Sequence, residues 1–168
     1  MKIYRGLPVS PGITIARIKK YSRVNLLDLI PVNCTSIDTS TEIFKINQAL
    51  IEARKQLDNM RTSYTEKDLV DALESIVESI VQEALELVSN EGICSSLAVK
   101  KVYEKYAEIL RSTGSQLFAF REVDLRVAAE LLLKGILGQT TRELPVDYTN
   151  KIVVCEDLGI TDFLNYLD

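Results

Sequence analysis

Between residues 41 and 64 the apolar side chains Ile43, Ile46, Leu50, Ala53, Leu57, Met60 and Tyr64 recur at alternating spacings of three and four. That period belongs to one face of an α-helix and to no strand. An apolar stripe sustained over three heptads cannot be satisfied by the helix that carries it, so the chain is committed to packing helix on helix. The stretch Thr39-Ser40-Thr41-Glu42 reads as a capping box, in which a Thr hydroxyl accepts from an orphan amide and the Glu three residues on reaches back.

Three more helical patterns follow. One opens after Thr65, with Asp68 in its first turn, and uses Leu69, Leu73, Ile76, Ile80, Ala84 and Leu87, flanked by Ala72, Val77, Val81 and Val88. It ends at Asn90-Glu91-Gly92, where glycine suits the left-handed residue after a helix. The next runs from Ser95 or Ser96 to about Thr113-Gly114 with Val99, Val102, Tyr103, Tyr106, Ile109 and Leu110 on its apolar side. The last starts at Ser115 and passes through Leu117, Phe118, Leu125, Ala128, Leu132 and Ile136 to Gly138. Short connections favour antiparallel neighbours, so residues 35–139 are expected to form an antiparallel four-helix bundle.

The two ends read differently. Ile13-Thr14-Ile15-Ala16-Arg17-Ile18-Lys19 alternates with the period of a half-buried strand. After a polar loop from Gln139 to Asn150, Ile152-Val153-Val154-Cys155 reads as a buried strand, followed by a turn and a short helix around Thr161 to Leu167. Two terminal strands around an inserted bundle imply a small α/β unit from residues 1–22 and 150–168, with too few residues to complete a sheet. Such a sheet is expected to expose an edge, which invites self-association.

The chain has no histidine. It therefore has no Ser-His or Cys-His nucleophile, no His-ligated metal and no phosphohistidine of its own. Cys34, Cys94 and Cys155 are odd in number and far apart; they are expected to be reduced thiols in a cytoplasm, forming neither a disulfide framework nor a zinc site. No apolar run approaches the length of a bilayer span. A net charge of −4 and the absence of Trp disfavour nucleic acid as a partner. Ser10-Pro11-Gly12 fits neither the phosphate-binding loop nor the dinucleotide fingerprint and reads as a turn. Glu156-Asp157 has no partner that would make an acid-base or metal site.

Charge is unevenly spread. Residues 1–61 carry ten basic and five acidic side chains, whereas residues 66–91 carry one Lys and eight acids, among them Glu74 and Glu78. The acidic segment supports two readings: a face that steers a basic partner, or a solvated helix surface.

The order of these parts is recognisable. Gly6-Leu7-Pro8-Val9-Ser10-Pro11-Gly12-Ile13 resembles the G-x-x-x-S-x-G-I opening of enzyme I, the phosphoenolpyruvate-protein phosphotransferase of the bacterial sugar phosphotransferase system. Arg121-Glu122-Val123-Asp124-Leu125-Arg126 and Ile136-Leu137-Gly138 resemble that family's R-x-x-D-[IV]-R segment and its I-L-G ending. Ile152-Val153-Val154-Cys155-Glu156-Asp157-Leu158 is similar to its V-x-V-A-x-D-L stretch, with Gly159-Ile160-Thr161 in place of the usual helix cap. The resemblance implies a swivelling phosphohistidine-type α/β domain, here truncated, with an HPr-binding helical bundle inserted into it. It implies that phosphate passes from phosphoenolpyruvate to a histidine and then to the phosphocarrier HPr. The family's G-G-x-x-S-H segment is not among these residues, and phosphoenolpyruvate and Mg²⁺ belong to a later domain of the family. No cofactor is therefore expected on this chain, and the chain alone is expected to bind and not to catalyse. The second helix, Ala72 to Val81, also lacks the family's His- and Met-containing recognition stretch.

The resemblance nominates Glu74, Glu78, Leu110, Arg111, Leu117, Phe118 and Arg121 as contacts for HPr or an HPr-like phosphocarrier. Arg121 has an equal second reading, a structural ion pair with Asp124 one turn on, and Leu117 and Phe118 read singly as core. The alternative for the whole chain is a diverged, non-docking scaffold that pairs with other helices.

Overall fold

The computed structural model describes residue 12 and residues 15–20, 25–35, 38–63, 67–113, 116–138 and 150–154. Four long helices dominate: α2 (Thr39–Ser63), α3 (Lys67–Glu91), α4 (Ser95–Ser112) and α5 (Gln116–Ile136). They are preceded by β1 (Arg17–Lys20) and the four-residue α1 (Leu26–Leu29), and followed by β2 (Lys151–Val154). Each long helix packs against the next, α2 also packs against α5, and α3 reaches across the diagonal to α5. The arrangement is an antiparallel four-helix bundle with short connections.

α5 is the most enclosed element. Leu125, Val127, Ala128, Ala129, Glu130, Leu131, Leu132 and Leu133 are all buried, which occupies every side of the helix and not a single stripe. Neighbours fit because facing residues are small. A Cβ added at Gly135 would stand 2.8 Å from the Ala49 Cα and 2.9 Å from its Cβ, so α2 and α5 nearly touch backbone to backbone there.

α2 buries Ile46, Ala49, Ala53 and Leu57, with Ile43, Leu50 and Met60 packed at the margin. In α3 the buried line is Val70, Leu73, Val77, Ile80, Val81, Ala84 and Val88. Leu73, Ile80 and Ala84 are buried as expected, whereas Leu69 is exposed and Ile76 and Leu87 are only partly covered, their places taken by Val70, Val77 and Val88 one residue on. In α4 Ile109 likewise faces solvent while Ala107 takes its place in the core. Apolar residues on both flanks of a stripe leave its phase undetermined in the sequence; packing partners decide it. Gly92 and Gly138 follow their helices with φ of 62° and 63°, the left-handed stop that glycine accepts without strain.

The start of α2 differs from the expected capping box. Asp38 performs the capping: its carboxylate accepts from the Ser40 amide at 3.0 Å and from the Thr41 hydroxyl. Glu42 is thereby released from reaching back. It is buried and accepts from the amide and hydroxyl of Ser95, at 2.7 and 2.5 Å, and from Lys45 Nζ at 2.7 Å. A carboxylate from α2 thus caps the first residue of α4, joining two parallel helices at one pole of the bundle.

The thiol expectation is overturned for two of the three cysteines. Cys34 and Cys94 form a disulfide, with 5.6 Å between their Cα atoms. The cause is the tertiary fold: Thr35 and Ile93 form an antiparallel bridge and the Cys94 amide donates to the Cys34 carbonyl at 3.0 Å. Sixty residues separate the two sulfurs in sequence, so no spacing rule could join them. α1, absent from the sequence reading, is capped by Asn25, whose side chain accepts from the Leu27 amide at 3.1 Å. It buries Leu26 and Leu27 against α5.

β1 and β2 pair in parallel, in register from Arg17 opposite Lys151 to Lys20 opposite Val154. Parallel neighbours need a long crossover, and here that crossover is the whole bundle. β1 is shorter than the alternation suggested and exposed throughout, and β2 is half-buried rather than buried. The N-terminal turn, Tyr64, the Thr65 cap, the polar loop, Cys155, Glu156-Asp157 and the final helix lie outside the described residues.

Two measurements test this core. Gly135→Ala forces a methyl group into the Ala49 backbone and is expected to lower stability by about 1–3 kcal/mol, read as a reduced urea midpoint at unchanged slope. Burial pushes the Glu42 carboxyl up, but the hydrogen bonds from Lys45 and Ser95 outweigh it and hold the group below the ordinary glutamate value. Its contribution is therefore complete above a pH of about 4.3 and fades as pH falls through the lower folded value. Glu42→Gln is expected to cost about 1–3 kcal/mol at neutral pH, and to shrink the loss of stability seen on acidification.

Candidate functional site

α2 and α4 end, and α3 and α5 begin, at the pole of the bundle opposite the disulfide. Leu110, Arg111, Leu117, Phe118 and Arg121 fall at this end because antiparallel order brings the end of α4 to the start of α5, whereas Glu74 and Glu78 lie farther along α3. Their surroundings decide what each can offer.

Glu74 and Glu78 are engaged along the α2–α3 seam. Arg61 Nη2 lies 2.7 Å from both Asp71 Oδ1 and Glu74 Oε2, its Nη1 lies 2.7 Å from Asp58, and its Nε donates to Asp71 at 3.1 Å. Arg54 Nη2 donates to Glu78 at 2.5 Å, with Nε 3.7 Å from Glu74. The hydrogen bonds that the Arg61 guanidinium donates to Glu74 and Asp71 hold it still more firmly protonated than usual, and the bond to Glu78 does the same for Arg54. Two arginines of α2 thus meet part of the acidic charge of α3.

A second charged seam joins α3 to α4. Glu83 accepts from Lys105 at 2.7 Å and from the Tyr106 hydroxyl. The Lys105 and Tyr106 hydrogen bonds hold the Glu83 carboxyl below the ordinary range, and the same contact pushes the Tyr106 hydroxyl up. Lys101 meets Glu91 at 2.7 Å nearer the other pole.

At the α4–α5 turn Arg111 grips Glu122 with two guanidinium nitrogens, Nε at 3.1 Å and Nη2. The Tyr103 hydroxyl sits 3.5 Å from the same carboxylate; burial, then the Glu122 charge, pushes that hydroxyl up. Leu110 is half-buried against the core. Leu117 and Phe118 lie in the first turn of α5, their side chains outside the described residues. Arg121 is exposed, with Nη1 3.4 Å from Asp124 Oδ2. The stripe it shares with Leu125, Ala128 and Leu132 has run past its covering neighbours, so the guanidinium reaches water and its ion pair together.

Sequence reasoning missed Arg54, Arg61 and Glu122 as partners. A signal existed for the first two. In an antiparallel pair residues equidistant from the connection face each other, and Arg54 with Glu78 and Arg61 with Asp71 are placed symmetrically about it. Among the described residues no group of three or more His, Cys, Asp or Glu could hold a metal ion, and no helix is long and apolar enough to cross a membrane.

An exposed i, i+3 pair at 3.4 Å contributes little. Arg121→Ala is accordingly expected to change stability by less than about 0.5 kcal/mol, measured by thermal melting at low and high salt. A larger loss would assign Arg121 to the packing of the bundle end.

Comparison with known proteins bears on this geometry. No curated protein matches the sequence. Among solved structures, the chain is similar to an enzyme I protein determined by solution NMR, with a TM-score of 0.65 and 21% identity over 92% of this chain. It spans 65% of the length of that protein. Residues 5–121 match the family described as PEP-utilising enzyme, N-terminal. That segment holds β1 and α1 to α4 and reaches the first turns of α5, so the chain belongs to the N-terminal family of the PEP-utilising enzymes.

Proposed function

We propose that this chain is the carrier-docking part of a phosphoenolpyruvate-protein phosphotransferase of enzyme I type, working in the cytoplasm and binding HPr or an HPr-like phosphocarrier. The observation that carries the reading is the family match across α2, α3 and α4; the contacts proposed are Leu110 and Arg111 at the end of α4 and Arg121 near the start of α5. Leu117 and Phe118 complete the contact from the first turn of α5. Arg111 and Arg121 supply cationic hydrogen-bond donors, suited to an acceptor-rich rim on the carrier. The 168 residues hold no histidine, so the docked carrier meets no phosphohistidine donor on this segment. Transfer, phosphoenolpyruvate and Mg²⁺ belong to other parts of an enzyme of this type. Self-association through the sheet is a separate element of the reading, supported by the exposure of Ile18 and Val154.

One observation favours the competing reading of a non-docking scaffold: Glu74 and Glu78 are already paired with Arg54 and Arg61. Titrating isotope-labelled chain with HPr separates the two. Docking is expected to shift resonances of residues 110–124 and to be lost in Arg121→Glu with the melting temperature unchanged. No shift at millimolar HPr would reject it in favour of the scaffold.

A further inference from the structure

The disulfide pole carries chemistry that carrier docking does not use. Cys34 stands in the segment that leads into α2, and Cys94 is the N-cap of the 18-residue α4. Both sulfurs border a cavity of about 480 Å³ that is also lined by Asp38, Thr41, Glu42 and Lys45. Cys34 is partly exposed whereas Cys94 is buried, so a reagent in the cavity meets Cys34 first.

The backbone around the sulfurs is held without the bond. The Thr35–Ile93 bridge, the Cys94 amide on the Cys34 carbonyl and the Lys100 ammonium on the Ile30 carbonyl at 3.0 Å all persist if sulfur separates from sulfur. Leu26, Leu27 and Ile30, buried beside them, add apolar anchorage. Opening the bond therefore leaves two thiols facing each other, and closing it again is an intramolecular step.

We propose that Cys34 and Cys94 form a reversible thiol–disulfide site, opened and closed by exchange with a low-molecular-weight thiol admitted through this cavity. In the opening direction the thiolate of a small thiol attacks Cys34 Sγ, and the electron pair of the breaking S–S bond leaves on Cys94 Sγ. A second small thiol attacks the small-molecule sulfur of the mixed disulfide and expels Cys34 as thiolate. Two electrons pass to the protein, the two small thiols become one disulfide, and their two protons end on Cys34 and Cys94. The leaving sulfur is the one placed at a helix N-terminus, whose dipole favours a thiolate, although the Ser95 amide there is already given to Glu42. Cys94 Sγ has the Ser96 hydroxyl at 3.5 Å and no amide partner while oxidised. Glu42 opposes this charge, and Lys45, 2.7 Å from Glu42, offsets the opposition. A bond formed in the reducing compartment assigned above is of the transient kind; the inference rests on that reading for the supply of thiol alone.

The experiment needs no carrier, so its failure is distinct from a failure of docking. The full chain carrying Cys155→Ser is equilibrated in buffers of reduced and oxidised glutathione, quenched by alkylation and weighed. Under native reducing conditions both cysteines are expected to be trapped together with helicity by circular dichroism unchanged, and the bond to return as oxidised glutathione is raised. In the same background Cys94→Ser is expected to take one glutathione at Cys34 faster than Cys34→Ser takes one at Cys94. A bond that yields only in denaturant, or that never forms in oxidised glutathione, overturns the proposal, and the reverse order of labelling overturns the assignment of the attacked sulfur.

Discussion

The enclosure of α5 is the constraint on which the other elements depend. A helix buried on every side must be wrapped, and α2, α3, α4 and α1 are each placed by the side of α5 that they cover. Where α2 comes closest, Gly135 faces Ala49, so the approach is limited by backbone and not by side-chain volume. Interiors packed to that tolerance do not deform continuously. Near the start of α5, Glu122 is held by Arg111 of α4.

Charge contributes a second kind of order, and it qualifies the docking argument. The acids of α3 would project a field toward a basic partner if they stood free, but Arg54 and Arg61 of α2 pair with Asp71, Glu74 and Glu78 and offset part of it locally. Long-range steering weakens in proportion. In the docking proposed above, contact at the α4–α5 end then depends on Leu110, the first turn of α5 and two arginines more than on attraction at a distance. Arg111 is already held by Glu122, whereas Arg121, whose partner among the described residues is Asp124 at 3.4 Å, loses little by exchanging that carboxylate for a partner's acceptor.

How much of this was legible in the sequence follows from which interactions are local. Helical periodicity is set by residues three and four apart, so all four long helices could be read, as could their stops at Gly92 and Gly138. The antiparallel bundle followed from short connections. Interactions that depend on packing could not be read. Whether Leu69 or Val70 faces inward depends on where α2 lies. Glu42 looked like a local cap because Thr39 precedes it by three, yet its partner is Ser95. The disulfide was invisible for the same reason, since the bridge between Thr35 and Ile93 exists only after α2 and α3 have folded out and back. α1 is four residues long, too short to show a period, and owes its form to the Asn25 cap and burial against α5. At the candidate site Arg121 and Asp124 were legible as an i, i+3 pair, while Glu122 as the partner of Arg111 was not.

The parallel pairing of β1 and β2 cannot be closed by a hairpin, and the four long helices lie between the two strands in the chain. An even number of antiparallel helices returns the chain to the pole of the bundle from which it set out. The incoming segment, through Cys34 and Thr35, and the outgoing one, through Ile136 and Leu137, border one cavity, and the α4–α5 turn lies at the far pole by the same parity. Chemistry at the sulfur pair therefore acts at the pole where α2 begins and α5 ends, and a carrier on the opposite pole would sense it only through the length of α4 and α5. With α5 held on all sides, a shift at one pole would have to be transmitted as movement of a whole helix. The two poles are for that reason separable by mutation.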